Sequence, residues 1–314
     1  MHTPALSIVA TMYRSADYIN EFCHRISKVA GEYGGEWELV LVNDGSPDDS
    51  LAKAIEIQKT ISQIILVDLS RNFGHHQAIM AGLREARGER VFLIDCDLEE
   101  RPEWLSEFKS KMEEVGADVV YGQQKSRKGN WFEGISGKIF YQFFNFLSIA
   151  KVPESWVTAR LMTRQYVNSV LDYGERALFL GGTFTLAGYL QVPVKIVKGS
   201  RGSSTYSINR RIILFVDAIA SFSPQPLYLI FVLGLFVTVL SILGFIFVIV
   251  RGIFGDTLIG WASLIASIWL FGGLTIFSIG LVGVYVGKVL IETKRRPLFH
   301  IKKVYRSESL PSNS

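Results

Sequence analysis

Cysteine is scarce in this sequence. Cys23 and Cys96 are its two cysteines, and their spacing matches no metal-binding pattern, which excludes a cysteine-based zinc site. So few cysteines also exclude a disulfide-rich secreted scaffold and suit a reducing compartment.

Charge is absent from two long stretches. Residues 227–250 and 257–287 contain no Asp, Glu, Lys or Arg, and about 20 apolar residues are enough to cross a bilayer as a helix. A pair of buried core helices is the alternative, but uncharged runs of this length exceed ordinary globular helices. The sequence therefore predicts two transmembrane helices within residues 224–290.

A basic leader is also absent from the first residues, so we expect no secretory signal and a cytoplasmic domain over residues 1–208. Residues 251–256 join the two apolar runs as a hairpin, with both flanks on one side. The basic residues cluster on those flanks: Arg201, Arg210 and Arg211 before the first run, and Lys288, Lys294, Arg295, Arg296, Lys302, Lys303 and Arg306 after the second. By the positive-inside rule, both termini are predicted to be cytoplasmic in a bacterial inner membrane.

The C-terminal segment 291–314 is predicted to be a basic cytoplasmic tail. Because it directly follows an apolar run and the net charge is only +4, we interpret it as an anchor to anionic lipid headgroups rather than a nucleic-acid site. Specific binding of a lipid phosphate by Lys288 and the arginines after it is the alternative.

Strand-like and helix-like stretches alternate over the first 125 residues, which predicts an α/β fold with a mostly parallel sheet covered by helices. Ligands bind such sheets at the carboxyl ends of the strands. Polar residues follow four predicted strands at that edge: Tyr13 and Arg14, then Asn43, Asp44, Gly45 and Ser46, then Arg71 and Asn72, then Asp95 and Asp97. Together they predict a binding cleft.

The pattern changes after residue 125. Residues 131–149 are aromatic-rich but carry Glu133 and Lys138, so we predict a helix at the membrane surface, with a core or oligomer-contact helix as the alternative. Residues 209–223 have a similar character and are predicted to form a juxtamembrane amphipathic helix.

Two carboxylates, Asp95 and Asp97, follow an apolar strand, where burial of charge is costly. Mg²⁺ and Mn²⁺ prefer oxygen ligands and are often shared between carboxylates and substrate phosphates. Capping of the next helix by Asp97 is the alternative. With Asp44 and Asn72 at neighbouring strand ends, the pattern favours a site for a metal ion and a diphosphate. For His75 and His76, capping, packing or proximity to phosphate is favoured over a metal site.

Five motifs carry a resemblance to a known family. They are VNDGSPDDS at 42–50, LSRNFGHHQAIMAGLREARGERVFLIDCDLEERPEW at 69–104, RLMTR at 160–164, ASFSPQPL at 220–227 and ETKRRP at 292–297. In this order they resemble the polyprenyl-phosphate glycosyltransferases of glycosyltransferase family 2, of the bactoprenol glucosyltransferase type, with dolichol-phosphate mannose synthase a more distant relative.

The resemblance implies a GT-A fold, a nucleotide-sugar donor, preferentially a UDP-sugar in this branch, a divalent cation (Mg²⁺ or Mn²⁺) and an acceptor that is the phosphate of a polyprenyl lipid. By motif position it assigns Thr11, Tyr13, Asp44, Ser46, Asn72 and Asp95 to the donor, and Asp97 and Asp95 to the metal. It assigns Arg160, Arg201, Ser203, Ser204 and Tyr206 to the acceptor phosphate. The implied catalytic residues are Asp95, Asp97, Arg160 and Arg201.

The sequence departs from the family pattern at four positions. Thr11 replaces a usual proline, Arg14 an asparagine, Thr158 an aspartate and Thr205 a lysine. A lipid monophosphate has a second pKa near 6 and is already an anion at neutral pH, so it needs no general base to attack a sugar. The loss of a carboxylate at Thr158 is therefore compatible with catalysis by one inverting displacement.

Two other functions remain as alternatives. A processive polysaccharide synthase of the same superfamily would carry a Gln-x-x-Arg-Trp motif and further spans, and the sequence has neither. A catalytically inactive membrane scaffold would retain only the fold. For the transferase we expect a separate flippase and a downstream glycosyltransferase that modifies surface glycans such as O-antigen. A homo-oligomer is also expected, because Gly and Ser in both spans allow close helix approach.

Overall fold

The computed structural model describes residues 3–124, 153, 155–176, 178–199, 225–253 and 260–307. In these ranges eight strands form a single sheet in the order β7-β5-β6-β4-β1-β2-β3-β8. The strands are β1 Leu6–Met12, β2 Trp37–Asn43, β3 Ile64–Leu69, β4 Arg90–Asp95, β5 Val119–Gln124, β6 Trp156–Thr163, β7 Gln191–Ile196 and β8 Ile301–Tyr305.

The helices of the same ranges divide into short ones around the sheet and two long ones near the C-terminus. They are α1 Ile19–Tyr33, α2 Ser50–Thr60, α3 His75–Glu85, α4 Trp104–Val115, α5 Arg164–Asp172, α6 Leu180–Leu186, α7 Gln225–Ile253 and α8 Trp261–Thr293. The predicted surface helix at 131–149 and the juxtamembrane helix at 209–223 lie outside the described residues.

The centre of the sheet is parallel. Strand β1 pairs in parallel with β2 and β4, and β2 pairs in parallel with β3, because each is followed by a helix that returns the chain to the same starting edge. All four strands consist largely of fully buried residues, as expected for a sheet covered on both faces. The carboxyl ends of β1 to β4 therefore meet at one edge, as the sequence predicted.

The outer part of the sheet is mixed. Strand β6 runs antiparallel to both β4 and β5, and β7 pairs in parallel with β5. This combination of a parallel half and an outer part with an antiparallel strand is the GT-A arrangement, and the predicted fold class is confirmed.

Two hydrophobic layers fix the sheet between its helices. On one face Phe22 of α1 and Phe108 of α4 pack against the sheet, and the Phe108 ring meets that of Phe92 edge-on at a centroid distance of 6.1 Å. On the other face Leu83 of α3 and Tyr166 of α5 pack against the sheet. Both layers consist of buried apolar side chains, so the polar residues at the strand ends lie at the open edge.

Helices α7 and α8 have a different character, because their apolar side chains are exposed. Gln225–Gly244 and Ser267–Thr293 are long and apolar enough to cross a membrane, and neither stretch is buried against the rest of the protein. A buried core helix pair, the alternative considered from the sequence, would bury these residues. Their exposure instead suits an apolar surrounding medium.

The chain returns to the sheet after α8. Strand β8 lies antiparallel to β3 and forms the edge of the sheet. The sequence does not predict this strand, because the basic residues Lys302 and Lys303 indicate a lipid-anchoring tail.

Candidate active site

The two acids after β4 occupy a tight loop. Asp95 is the last residue of the strand, and Asp97 accepts a hydrogen bond from the backbone N–H of Glu99 at 2.9 Å. Leu98, between Asp97 and Glu99, has a positive φ of 62°, which turns the chain sharply. The N-cap of α4 is Glu103 rather than Asp97, so helix capping does not explain Asp97.

His75, the first residue of α3, reaches into this edge. Its Nδ1 lies 3.2 Å from the hydroxyl oxygen of Thr11, and its Nε2 lies 3.5 Å from Oδ1 of Asp95. The imidazole thus links the ends of β1 and β4. The sequence indicated only capping, packing or phosphate proximity for the histidine pair, because spacing along the chain does not show which strand a helix start will face.

Asp44 at the end of β2 is buried and holds the loop after β3. Its two carboxylate oxygens accept hydrogen bonds from the backbone N–H groups of Phe73 at 2.7 Å and Gly74 at 3.0 Å. Asn72 donates its side-chain amide to the Asp44 carbonyl at 3.1 Å. Burial raises the pKa of Asp44, and the two backbone donors oppose this rise. Asp44 therefore fixes the shape of the predicted donor pocket.

The loops after β1 and β2 are also joined to each other. The Ser46 hydroxyl accepts a hydrogen bond from the Arg14 backbone N–H at 2.7 Å and donates one to Asp48 at 2.5 Å. Tyr13 stands at the rim with 46% of its surface exposed. The structure thus brings Thr11, Tyr13, Asp44, Ser46, Asn72 and Asp95 to one edge, as predicted.

A buried carboxylate supports the acid loop from below. Glu100 is fully buried, and it accepts hydrogen bonds from the backbone N–H of Thr158 at 2.9 Å and of Asp95 at 3.3 Å. Burial is the main cause that raises its pKa to about 8. Lys198, just beyond β7, places its Nζ 3.3 Å from Glu99 and 3.8 Å from Glu100.

Neither Glu100 nor Lys198 was identified from the sequence. The acidic run at 99–100 was visible as a signal, but its spacing does not show which acid faces inward. Lys198 is 98 positions beyond Glu100 and comes near it only because β7 joins the same sheet.

Arg160 lies inside the domain rather than on the open edge. It sits opposite Leu93 of β4, two residues before Asp95, and is 3% exposed. Its guanidinium carbon is 3.7 Å from the ring centroid of Phe184, and its Nε donates to the Thr158 carbonyl at 3.2 Å. Burial lowers its pKa to about 10, so Arg160 stays protonated at neutral pH and adds positive potential beneath the acids.

The remaining predicted acceptor residues are Arg201, Ser203, Ser204 and Tyr206, and they lie outside the described residues. Lys198 and Gly199 come directly before that segment, and the Gly199 backbone N–H donates to the Glu99 carbonyl at 2.9 Å. The described chain thus enters this segment from beside the acid loop.

The donor chemistry of the edge fits a hard divalent cation. Within the described ranges no three His, Cys, Asp or Glu side chains are grouped to hold a metal, so the residues of these ranges do not by themselves form a closed cage. Mg²⁺ commonly binds through one or two carboxylates, with substrate phosphates and water completing its shell. Asp95 and Asp97 fit this open mode of binding.

A mixed sheet with acids and polar loops at the carboxyl ends of its parallel strands has the architecture of the GT-A glycosyltransferases. The family model described as "Glycosyl transferase family 2" matches residues 7–171. The chain belongs to glycosyltransferase family 2, and the family resemblance found in its motifs is confirmed.

Three relatives align over nearly the whole chain. A protein of Mycobacterium tuberculosis described as "Putative glycosyltransferases" is 43% identical, covering 96% of this chain and 89% of the relative. The bactoprenol glucosyl transferase of Shigella phage SfII is 31% identical, covering 96% and 98%. The undecaprenyl-phosphate 4-deoxy-4-formamido-L-arabinose transferase of Klebsiella pneumoniae is 30% identical, covering 98% and 95%.

Proposed function

We propose that this protein transfers a sugar from a nucleotide-sugar, preferentially a UDP-sugar, to the phosphate of a polyprenyl lipid such as undecaprenyl phosphate. The names of the Shigella phage and Klebsiella relatives support a polyprenyl-phosphate acceptor. Their alignments include the C-terminal apolar helices as well as the sheet domain.

The path of the chain supports the proposal. Helices α7 and α8 follow β7 and precede β8, and both strands belong to the sheet that carries Asp95 and Asp97. Two spans that begin and end in one domain leave that domain on one side of the bilayer. A polyprenyl tail is confined to the same bilayer, so only its phosphate needs to reach the domain, and this confinement supplies proximity.

The chemistry must overcome repulsion between two anions, the acceptor phosphate and the donor diphosphate. A divalent cation bound by Asp95 and Asp97 would act as a Lewis acid on the leaving diphosphate. Arg160 contributes a fixed positive charge below the edge, and Arg201 is proposed to hold the incoming phosphate. Because this phosphate is already ionised, no carboxylate is needed at Thr158 to remove a proton.

Asp44 and Asn72 are proposed to shape the nucleoside pocket, with Thr11, Tyr13 and Ser46 along its wall. The Asp44 oxygens already accept two backbone hydrogen bonds. A carboxylate oxygen has further lone pairs, so Asp44 can accept a ribose or base donor without releasing the loop.

An assay of the full chain in bacterial membranes tests this function. Membranes receive radiolabelled nucleotide-sugars, Mg²⁺ and undecaprenyl phosphate, and the expected product is a labelled lipid monophosphate sugar of inverted configuration. A long polymer would identify a processive synthase, and no product with any donor would identify an inactive scaffold. Glu107→Gln, a change at an exposed acid of α4, is the matched control for variants of the acid loop.

The proposal places the domain in the cytoplasm and a bacterial inner membrane around α7 and α8. Two spans leave little room for a transport path within one chain, so a separate flippase would move the product and another transferase would use it outside. Product on the outer leaflet of vesicles that contain this protein alone would contradict that division.

A further inference from the structure

Strand β8 extends its pairing beyond β3 into the loop of the proposed donor pocket. Val304 lies opposite Val67, and Ile301 lies opposite Leu69. One residue further, the Ser70 backbone N–H donates to the His300 carbonyl at 2.9 Å. The segment after the second apolar helix therefore fixes the first residue of the loop 70–74.

Side chains of β8 and of His300, the residue directly before it, contact the same region. The rings of His300 and Phe73 lie 6.0 Å apart between centroids. The register shifts between Asp68 and Leu69, which leaves Lys302 as an extra residue in β8, and such a bulge re-aims its side chain. Lys302 Nζ lies 3.8 Å from Oδ2 of Asp68.

The loop held by β8 leads directly to the candidate site. Three and four residues after Ser70, the backbone N–H groups of Phe73 and Gly74 donate to Asp44. The residue after them is His75, which contacts Thr11 and Asp95. Residues 70–75 thus form one short, continuous segment that contacts His300 at one end and Asp95 at the other.

Contacts with α2 and α3 anchor β8 independently of the loop. Arg306 forms an ion pair with Glu85 at 2.8 Å, and the Arg84 guanidinium carbon lies 5.5 Å from the ring centroid of Phe299. The Gln58 side-chain amide donates to the Tyr305 carbonyl at 3.0 Å. A strand fixed at this many points is a rigid support for the loop.

We propose that β8, together with His300 directly before it, is a positioning element for the donor site: the hydrogen bond from Ser70 to the His300 carbonyl and the contact of the His300 ring with Phe73 hold the loop 70–74 in the conformation that binds the nucleotide-sugar. This inference rests on the proposed function. It gives the segment after the membrane hairpin a role in donor binding, beyond covering the edge of the sheet against pairing with other chains.

The test compares His300→Ala with His300→Phe in the full chain. His300 is exposed, so its replacement leaves the core intact, and the carbonyl that pairs with Ser70 remains. Lys303→Ala is the matched control, because Lys303 is an exposed residue of β8, three positions after His300. For each variant the donor KM, the acceptor KM, kcat and the hydrogen exchange of the amides of 70–74 are measured.

His300→Ala is expected to raise the donor KM roughly 2- to 10-fold, the range that corresponds to loss of one aromatic pair. Exchange at Phe73 and Gly74 should become faster, while the acceptor KM and kcat stay unchanged. His300→Phe should restore both the donor KM and the slow exchange, and Lys303→Ala should match the unmodified protein.

An unchanged donor KM and unchanged exchange in His300→Ala would overturn the proposal. Equal rises in both KM values without rescue by His300→Phe would also overturn it, since this would show a general structural effect. If the unmodified protein transfers no sugar, the proposed function fails, and the exchange measurement still decides whether β8 orders the loop.

Discussion

The acids at the carboxyl-end edge of the parallel strands have different neighbours at the scale of single residues. Asp44 is held by backbone N–H groups, Asp95 lies beside an imidazole, and Asp97 accepts one hydrogen bond within its own turn. Glu100 is enclosed completely. The same functional group can therefore shape a loop, face a ligand or support a strand, according to its burial and its donors.

Sequence patterns predicted which acids lie on the edge but not those that support it. Asp44, Asp95 and Asp97 were identified because each directly follows an apolar strand, and strand ends of a parallel sheet meet. Glu100 and His75 depend on the direction in which a loop or helix start turns. That direction is set by tertiary packing, and it cannot be predicted from the spacing of residues along the chain.

The partly buried imidazole of His76 gives a pH prediction. Desolvation lowers its pKa to about 4 from an ordinary value of 6.5, so between these values the unfolded chain binds the additional proton. The stability contributed by the neutral imidazole is therefore complete above pH 6.5 and is lost as the pH falls toward 4, by about 3 kcal/mol. Thermal unfolding between pH 4 and pH 7 measures the loss.

His76→Leu should flatten this part of the stability profile, because the variant has no imidazole to protonate. His24→Leu, at an exposed site on α1, is the control and should keep the slope of the unmodified protein. An identical slope in His76→Leu would show that other groups cause the acid sensitivity.

At the scale of elements, helix α3 lies very close to the parallel strands. Its Gly82 faces Val9 of β1 and Val42 of β2, and a Cβ at this position would overlap Val9 Cγ1 and lie 3.0 Å from Val42 Cγ2. This close approach brings the N-terminus of α3, with His75, over the ends of the strands. Packing of α3 and placement of His75 are thus linked.

Gly82→Ala should destabilise the domain by about 1–3 kcal/mol through overpacking. Gly31→Ala in α1 is the matched control, because no atom lies within 4 Å of its added Cβ. That change should be neutral or stabilising by about 0.5–1 kcal/mol, as expected for alanine in a helix. Denaturant unfolding of both variants compares them, and equal effects would contradict the packing argument.

The parallel half was the part of the fold most accessible from sequence. Strands β1 to β4 are apolar and buried on both faces, and amphipathic helices separate them, so the alternating pattern is strong. Strand β8 was missed because IKKVY is a half-buried edge strand with two lysines, and the charges dominated its interpretation. Such a strand is recognisable only once β3 is available to pair with it.

At the scale of the whole molecule, the chain leaves the sheet domain after β7 and rejoins it at β8. The ion pair of Arg306 with Glu85 and the hydrogen bond from the Arg176 backbone N–H to Glu292 tie the exit of α8 to this domain. The predicted hairpin from 224 to 290 and its cytoplasmic flanks remain predictions. A return of the chain to the same sheet supports flanks on one side.

Cysteine labelling tests that orientation. Both native cysteines are buried, so background labelling should be low. In intact bacterial spheroplasts a membrane-impermeant maleimide should label Asp256→Cys between the two apolar helices. Ser312→Cys in the tail should react only after permeabilisation, and the opposite pattern would place the domain outside the cell.

We propose that a divalent cation bound by Asp95 and Asp97 enables a lipid phosphate to displace the nucleotide from the sugar. The most direct measurement is the rate of sugar transfer to undecaprenyl phosphate by unmodified protein, Asp97→Asn and the control Glu107→Gln, each with Mg²⁺ and with a chelator. We predict a loss of roughly 100-fold or more in Asp97→Asn, and in the unmodified protein on chelation, with Glu107→Gln unaffected. Full activity of Asp97→Asn in the presence of the chelator would contradict the account.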